Sequence, residues 1–368
     1  RQNFVWTSME EIITWIENSW VTWSKSHSVN FELINIDETS FKDIAKLAFN
    51  ADKIVVTCFN IKMANVLSGL RGKLSLNIPW IFYLHGLASF GCWPLYRWEV
   101  GNLLTNKDVF VASCNRDLNQ VRVIFPDIPT FVIPFSLPLP EVIRPFKKGQ
   151  VKKFAFIGRI SSQKNLHSLI QAASLLSSDF ELHFFGKEDN YGSPLMGMKD
   201  ENYLSFLKQL SQELKIAHKI HFHGFMNRLD IEVMMNKEEW VFIAPSIHSD
   251  ENFGMAAFRN LLNGHRVILS DWGGHADYPE FFPEQVKLVK VYQSAIGPWL
   301  SINELKHAME EEFPDYHSNT PPKYYSEQYI QTQLEKVFHF QGENSIVRTN
   351  LLLDEIIKRR EDFLQRNE

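Results

Sequence analysis

The chain has 368 residues, 45% of them hydrophobic and 22% charged, proportions that exclude a disordered or fibrous protein. At about 150 residues per domain this length predicts two domains or one large one, with a core that needs neither disulfide nor metal. The formal net charge of −5 argues against a general nucleic-acid binder, which carries a basic excess.

Residues 1–148 carry 15 basic and 13 acidic side chains, a balance of +2, and the remainder carries −7. An anionic partner therefore suits the front half better. Cys58, Cys92 and Cys114 are far apart and form no CxxC pair, which argues against a disulfide framework or a zinc ribbon and fits a reducing, cytoplasmic compartment. No run of 18 apolar residues appears; the nearest, Ile78 to Tyr96, is broken by His85, Pro79 and Pro94, so no transmembrane span is expected. The first residue is Arg1 and not Met, so the sequence is expected to start inside a longer chain, with any targeting segment outside it.

In chain order, the front half offers strands at Glu32–Ile36, Lys53–Cys58, Trp80–Leu84, Val109–Ser113 and Phe131–Ile133. The back half offers Phe154–Ile157, Glu181–Phe185, Lys219–His223, Trp240–Ala244, Val267–Ser270 and Val286–Val291. Most are continuous apolar runs, as expected for parallel strands covered on both faces. Between them, Leu166, Leu169, Ile170 and Ala173 repeat with helical period, as do Leu204, Leu207, Leu210 and Leu214. The alternation gives right-handed βαβ units, and the strands are too many for one compact sheet. The fold class is therefore α/β, with two Rossmann-like doubly wound domains. Pro134, Pro138, Pro140 and Pro145 crowd the approach to Lys147-Lys148-Gly149 and read as a linker. The expected division is a domain at 1–147, its first strand allowed to be missing, a domain at 148–344, and a C-terminal helix at 345–368 able to pack back on the first.

The chemistry-bearing segments follow strands. Phe154–Ile157 runs into Gly158-Arg159, with Lys164 five residues on at a helix start. Ligands of open α/β sheets bind at the carboxyl ends of strands, and helix N-termini attract phosphate. Arg grips a diphosphate with paired hydrogen bonds and Lys adds a point charge; the competing reading is a surface turn with two solvated cations. After the strand ending at Ala244, Glu251 and Gly254 precede the helical stretch Met255–Leu262. Glu251 either accepts hydrogen bonds from ligand hydroxyls or simply favours the helix dipole. Gly273-Gly274-His275 follows another strand and either turns backbone amides toward a ligand or is a plain turn. In the front half, Trp80–Leu84 ends in His85-Gly86. A lone His is usually structural, but a strand's carboxyl end favours a site. The loop beyond carries Trp93, Tyr96 and Trp98, whose rings either meet an acceptor or fill a core. His221 and His223 look like a metal-ligand pair, but alternate strand residues with a surface role account for them better; no metal is expected.

Taken in order, these segments resemble a glycosyltransferase of the GT-B fold, family 4 (retaining) type. The strand ending in His85-Gly86, Ile133-Pro134, Gly158-Arg159 with Lys164, Gly224-Phe225-Met226, Pro245-Ser246 followed by Glu251-x-Phe253-Gly254, and Gly273-Gly274 carry the resemblance, over roughly residues 75–290. It implies two Rossmann-like domains facing across a cleft, a nucleotide-diphosphate sugar as donor substrate and no cofactor. Arg159 and Lys164, beside Gly158, would hold the diphosphate. Gly224, Phe225 and Met226 would line the base. Glu251, with Asn252, the amides of Phe253 and Gly254, and Met255, would bind the sugar, and His85 would reach it from the acceptor-side domain. The acceptor would be a glycan, a protein or a lipid-linked glycan, with peripheral membrane contact allowed through the aromatic loop.

Three departures qualify the resemblance. Arg259 stands where the family has a second Glu that accepts from ribose hydroxyls, and a guanidinium has no acceptor. Asn165 stands where a Gly often follows the Lys, and Phe135-Ser136 replaces Asn-Gly. Arg259 keeps open a non-catalytic relative that uses the pocket as a nucleotide- or glycan-binding scaffold. A nucleotide-binding enzyme of other chemistry is a third reading, although no GxGxxG fingerprint supports hydride transfer.

Overall fold

The computed structural model describes residues 7–86, 100–189, 202–248, 251–295 and 297–343, with 345, 347 and 358. The chain divides into two compact units, Arg1–Leu137 with Tyr324–Glu368, and Pro138–Lys323.

The first unit opens with α1 (Thr7–Ser26) and α2 (Phe41–Phe49), then β1 (Ile54–Val56) and α3 (Ile61–Leu67), which runs into a π-helical turn at Ser68–Lys73. It continues through β2 (Trp80–Leu84), β3 (Val109–Ala112), α4 (Asn115–Ile124) and β4 (Thr130–Val132). These strands form one parallel sheet in the order β1-β2-β3-β4. Every side chain of β2 and β3 is buried, as their unbroken apolar runs predict.

The strand expected at Glu32–Ile36 does not form. Asn35 turns the chain instead: its Oδ1 accepts from the Asp37 amide at 3.1 Å and its carbonyl from the amides of Glu38 and Thr39. Asn offers the backbone this local alternative to a sheet ladder, and Ile36 alone of the segment is buried.

One buried ion pair ties this unit together. Arg71, in the π-helical turn, meets Asp108 with both terminal nitrogens, at 2.6 and 2.9 Å. The carboxylate also accepts from the amides of Trp80 and Thr105, each at 2.7 Å, and the guanidinium lies 3.4 Å over the Trp80 ring. The start of β2, the approach to β3 and the turn after α3 thus share one charge pair.

The second unit runs β5 (Lys152–Ile157), α5 (Leu166–Ser174), β6 (Phe180–Phe185), α6 (Tyr203–Glu213), β7 (Ile220–Gly224), α7 (Arg228–Met235), β8 (Val241–Ala244), α8 (Met255–Leu262), β9 (Arg266–Ser270) and β10 (Val286–Val289). Its six parallel strands lie in the order β10-β9-β8-β5-β6-β7. Phe154 and Phe156 of β5 pack into one cluster with α5 and β6, while Ala155 packs into another with Trp240, Ile231 and Met235. Both faces of the sheet are therefore covered. The chain winds outward from β5 to β7, then returns and winds the other way from β8 to β10. The carboxyl ends of β5 and β8 are the topological switch point, where open α/β sheets hold ligands.

The expected strand Val286–Val291 is two elements. Its end becomes β11 (Val291–Ser294), antiparallel to β12 (Gly297–Leu300), and α9 (Ile302–Glu310) follows. The residues from Pro138, read as linker, belong to the second unit, where Ile143 bridges Asn319. The helix α10 (Glu327–His339) belongs to the first unit and packs Phe338 against Trp23 of α1, ring centroids 4.6 Å apart. The C-terminal helix expected at 345–368 lies almost entirely outside the described residues.

Removing one partner of a buried ion pair strands the other charge. Asp108→Ala is therefore expected to cost about 3–5 kcal/mol in urea unfolding, with Asp43→Ala, on an exposed carboxylate of α2, costing far less; equal costs would refute the assignment.

Candidate functional site

At the switch point two loops meet. β5 runs directly into Gly158, whose amide donates to the Phe185 carbonyl at 2.9 Å. Gly186, after β6, lies so close that a Cβ there would sit 1.7 Å from the Gly158 carbonyl oxygen; only glycine fits. The Gly186 amide in turn donates to the carbonyl of Gly224, the last residue of β7, at 2.8 Å. Glycine thus finishes three neighbouring strands, and backbone lines this rim.

Arg159 follows and pairs with Asp189, which comes from the loop after β6. The turn Ser162–Lys164 leads to Asn165, left-handed at φ 55°. Asn tolerates this conformation best after Gly, so Asn165 meets the backbone demand that Gly would meet. It also adds contacts that Gly lacks: its Nδ2 donates to the Pro245 carbonyl at 3.3 Å, and its Oδ1 accepts from Ser168 at 2.7 Å.

Lys164 Nζ donates to Glu251 Oε2 at 2.5 Å, with side chains 16% and 12% exposed. The second oxygen of Glu251 lies 3.7 Å from His275 Nε2. Burial alone would raise the Glu251 carboxyl, but Lys164, His275 and a hydrogen bond from Ser246 overcome it and hold the group ionised, well below the usual carboxylate range. The loops after β5, β8 and β9 therefore converge on one carboxylate.

Gly254 caps α8 at φ 74°, and a Cβ there would lie 2.6 Å from the His275 ring. Among the described residues no side chain caps the helix start, and the first amides of a helix are donors suited to an anionic ligand. Gly274 is equally constrained, because a Cβ would meet the Asn252 carbonyl at 1.9 Å. Asn252 is buried and its Nδ2 finds no partner among the described residues. The Phe253 side chain is in the core against Phe258 and Tyr278, so only its backbone faces the loop chemistry. Met255 begins α8, and Arg259 is half-buried on its second turn. Phe225 is 65% exposed with Lys187 5.3 Å from its ring centre, whereas Met226 packs toward Trp240.

His85 lies in the first unit. Its Nε2 meets the Thr57 carbonyl at 2.7 Å. A carbonyl only accepts, so Nε2 carries the proton and Nδ1 presents a lone pair. Burial lowers the ring to about 4, against the Thr57 bond, so it is neutral at physiological pH. Trp93, Tyr96 and Trp98 lie outside the described residues.

The structure therefore joins Lys164 to Glu251 and gives Arg159 a carboxylate. It adds Asp189 and Gly186, which sequence reasoning missed, makes Ser246 of the Pro245-Ser246 segment a donor to Glu251, and makes His275 a partner of Glu251 and not merely a turn residue. An acid just beyond a strand-ending glycine was the only trace of Asp189.

Against known proteins, residues 141–280 match the family described as Glycosyl transferases group 1. No curated protein matches the chain in sequence. Among solved structures, the lipopolysaccharide outer core galactosyltransferase WaaB aligns with a TM-score of 0.59 at 14% identity, over 89% of this chain and 92% of that one. HepE of Anabaena in complex with UDP gives 0.56 at 16% identity, over 86% and 88%. The sucrose-phosphate synthase of Thermosynechococcus elongatus gives 0.54 at 16%, over 83% and 79%. At these identities the likeness shows the fold: two Rossmann-like parallel-sheet units of the GT-B type. No helix among the described residues is long and apolar enough to cross a membrane.

Burial lowers His265 to about 4 as it does His85. Such a ring stays neutral in the folded chain while the unfolded one protonates near 6.5. The unfolded state therefore binds more protons between about pH 6.5 and 4, and stability falls as pH falls through that window. A tenfold difference in proton affinity between the two states is worth about 1.4 kcal/mol. Melting temperature is expected to drop from pH 7 to pH 5, and His265→Phe is expected to shrink the drop; an unchanged drop would contradict the neutral burial of His265.

Proposed function

We propose that this chain, whose residues 141–280 match the glycosyl transferases group 1 family, moves a hexosyl group from a nucleotide-diphosphate sugar to a glycan, protein or lipid-linked acceptor. The observation that carries the reading is the Lys164–Glu251 pair at the switch point, beside Arg159 and the start of α8. Such a place offers cations and amides to a diphosphate and a carboxylate to sugar hydroxyls.

Transfer breaks the bond between the anomeric carbon and phosphate. Positive charge grows on the sugar and negative charge on the departing diphosphate. Arg159 and Lys164 lie where they can stabilise that negative charge, which is how preorganised donors lower a barrier. Their carboxylate partners hold both cations in place before a donor arrives, so little reorganisation is needed on binding. Glu251 has lone pairs beyond those used by Lys164 and accepts from sugar hydroxyls, and the backbone amides of Phe253 and Gly254 extend the same grip. His85, in the first unit, is neutral, and its Nδ1 is an acceptor suited to a hydroxyl. Gly224, Phe225 and Met226 line the base through backbone groups. Retention of anomeric configuration, a family 4 type and a cytoplasmic location complete the proposal. UDP is the first nucleotide to test, because a structural relative is named as a complex with UDP.

Arg259 favours a second reading, a nucleotide- or glycan-binding scaffold without turnover, because it removes the acceptor expected at ribose. Mass spectrometry after incubation with a panel of nucleotide-sugars separates the two: release of nucleoside diphosphate supports transfer, and binding without release supports the scaffold.

A hydrogen bond to a charged group contributes about 1.5–3 kcal/mol. Arg159→Ala with Lys164→Ala is therefore expected to weaken a nucleoside diphosphate by at least about 100-fold in calorimetry, with the free sugar far less affected; equal loss for both would refute the diphosphate site. Arg259→Glu is expected to restore an acceptor and tighten one common donor. No gain for any nucleotide would mean that Arg259 is not a simple replacement at the ribose.

A further inference from the structure

Strands β6 and β7 carry a second group of chemistry-bearing side chains, apart from the loops just described. Glu181 and His183 alternate on β6, and His221 stands directly across from His183 on β7. On one face of the sheet, the three offer ligand atoms that all lie within 4.8 Å of one another. The rings of His183 and His221 stack with centroids 4.5 Å apart, and His183 Nε2 lies 3.3 Å from Glu181 Oε2. The other nitrogen of His183, Nδ1, meets His223 Nε2 at 2.9 Å. Because β7 is the edge strand and the Glu181 side chain is 38% exposed, an ion has a way in.

The geometry points to a binding site for a borderline divalent cation, Zn²⁺ or its Co²⁺ and Ni²⁺ relatives, held by Glu181, His183 and His221. Two imidazoles and a carboxylate are the donor set such ions prefer, and they leave a fourth position for water. Bonds of about 2.0–2.2 Å would draw the three atoms closer than they now stand, a movement open to side chains at a sheet edge. With the ion on Nε2 of His183, Nδ1–H donates to His223. That outer hydrogen bond fixes the tautomer of a ligating histidine and raises its basicity. Lys153 does not block the site: its closest carboxylate is Glu238 at 2.6 Å, with Glu181 at 3.7 Å. The glycines and cations of the donor site follow the carboxyl ends of the strands. The three ligands are set back from those ends by about 7–13 Å, at about 3.3 Å per residue. The ion would therefore clip the edge strand to its neighbour and take no part in sugar transfer.

The test uses the untagged full chain with Co²⁺ as a spectroscopic probe and Zn²⁺ as competitor. One Co²⁺ per chain is expected, with the visible absorption of a four-coordinate ion, abolished by one equivalent of Zn²⁺, and with nucleotide binding unchanged. Glu181→Gln, His183→Gln and His221→Gln should each weaken Co²⁺ by at least about 10-fold, and His223→Gln, which removes the ring that accepts the outer hydrogen bond and its stacking on His183 and Phe185, by about 10-fold. If His183→Gln does not fold, His221→Gln on the edge strand decides. No saturable binding at millimolar Co²⁺, or binding that survives His221→Gln and Glu181→Gln together, would overturn the site.

Discussion

A largely buried carboxylate that stays ionised organises the second unit. Glu251 is charged only because Lys164 and His275 stand beside it and Ser246 donates to it. A lone carboxylate at that depth would take up a proton. The loops after β5, β8 and β9 must therefore be in register for any one of them to be correct. Gly254 and Gly274 serve the same end, since side chains there would push His275 and Asn252 out of place. The arrangement concentrates charge where the two halves of the doubly wound sheet part, so the candidate site is preorganised before any ligand arrives.

Much of this was legible in the sequence, for a physical reason. Strands covered on both faces cannot hide in polar text, so β2, β3, β5, β8 and β9 were readable from their apolar runs. Arg159, Lys164 and Glu251 stood out because they follow such runs directly. Asp189 and His275 were harder, since each partner is contributed by a different strand's loop, and sheet order cannot be read from apolar runs alone. Glu32–Ile36 misled because the β-branched and apolar residues Leu33, Ile34 and Ile36 mimic a strand, whereas Asn35 turns the chain locally. At Asn165 residue identity suggested a departure from the family, but the left-handed backbone shows that Asn meets the same demand as Gly.

The same limit explains His221 and His223. Read along the chain they are two alternate residues on one strand, and a surface role accounts for them. Only when β6 lies beside β7 do Glu181 and His183 join them. The pairing that creates the cluster is a property of the sheet and not of either segment.

The segment from Pro138 onward has a practical consequence. Besides the Ile143–Asn319 bridge, it lays the Arg144 carbonyl against Gly264, where a Cβ would sit 1.9 Å away, and it stacks Phe146 on His265 with ring centres 4.4 Å apart. These residues look like dispensable connecting sequence, yet they form a strap across the end of α8. Anyone excising the second unit for crystallisation should cut ahead of the strap, because a fragment opened at Lys148 would leave the His265 ring and the end of α8 bare to solvent.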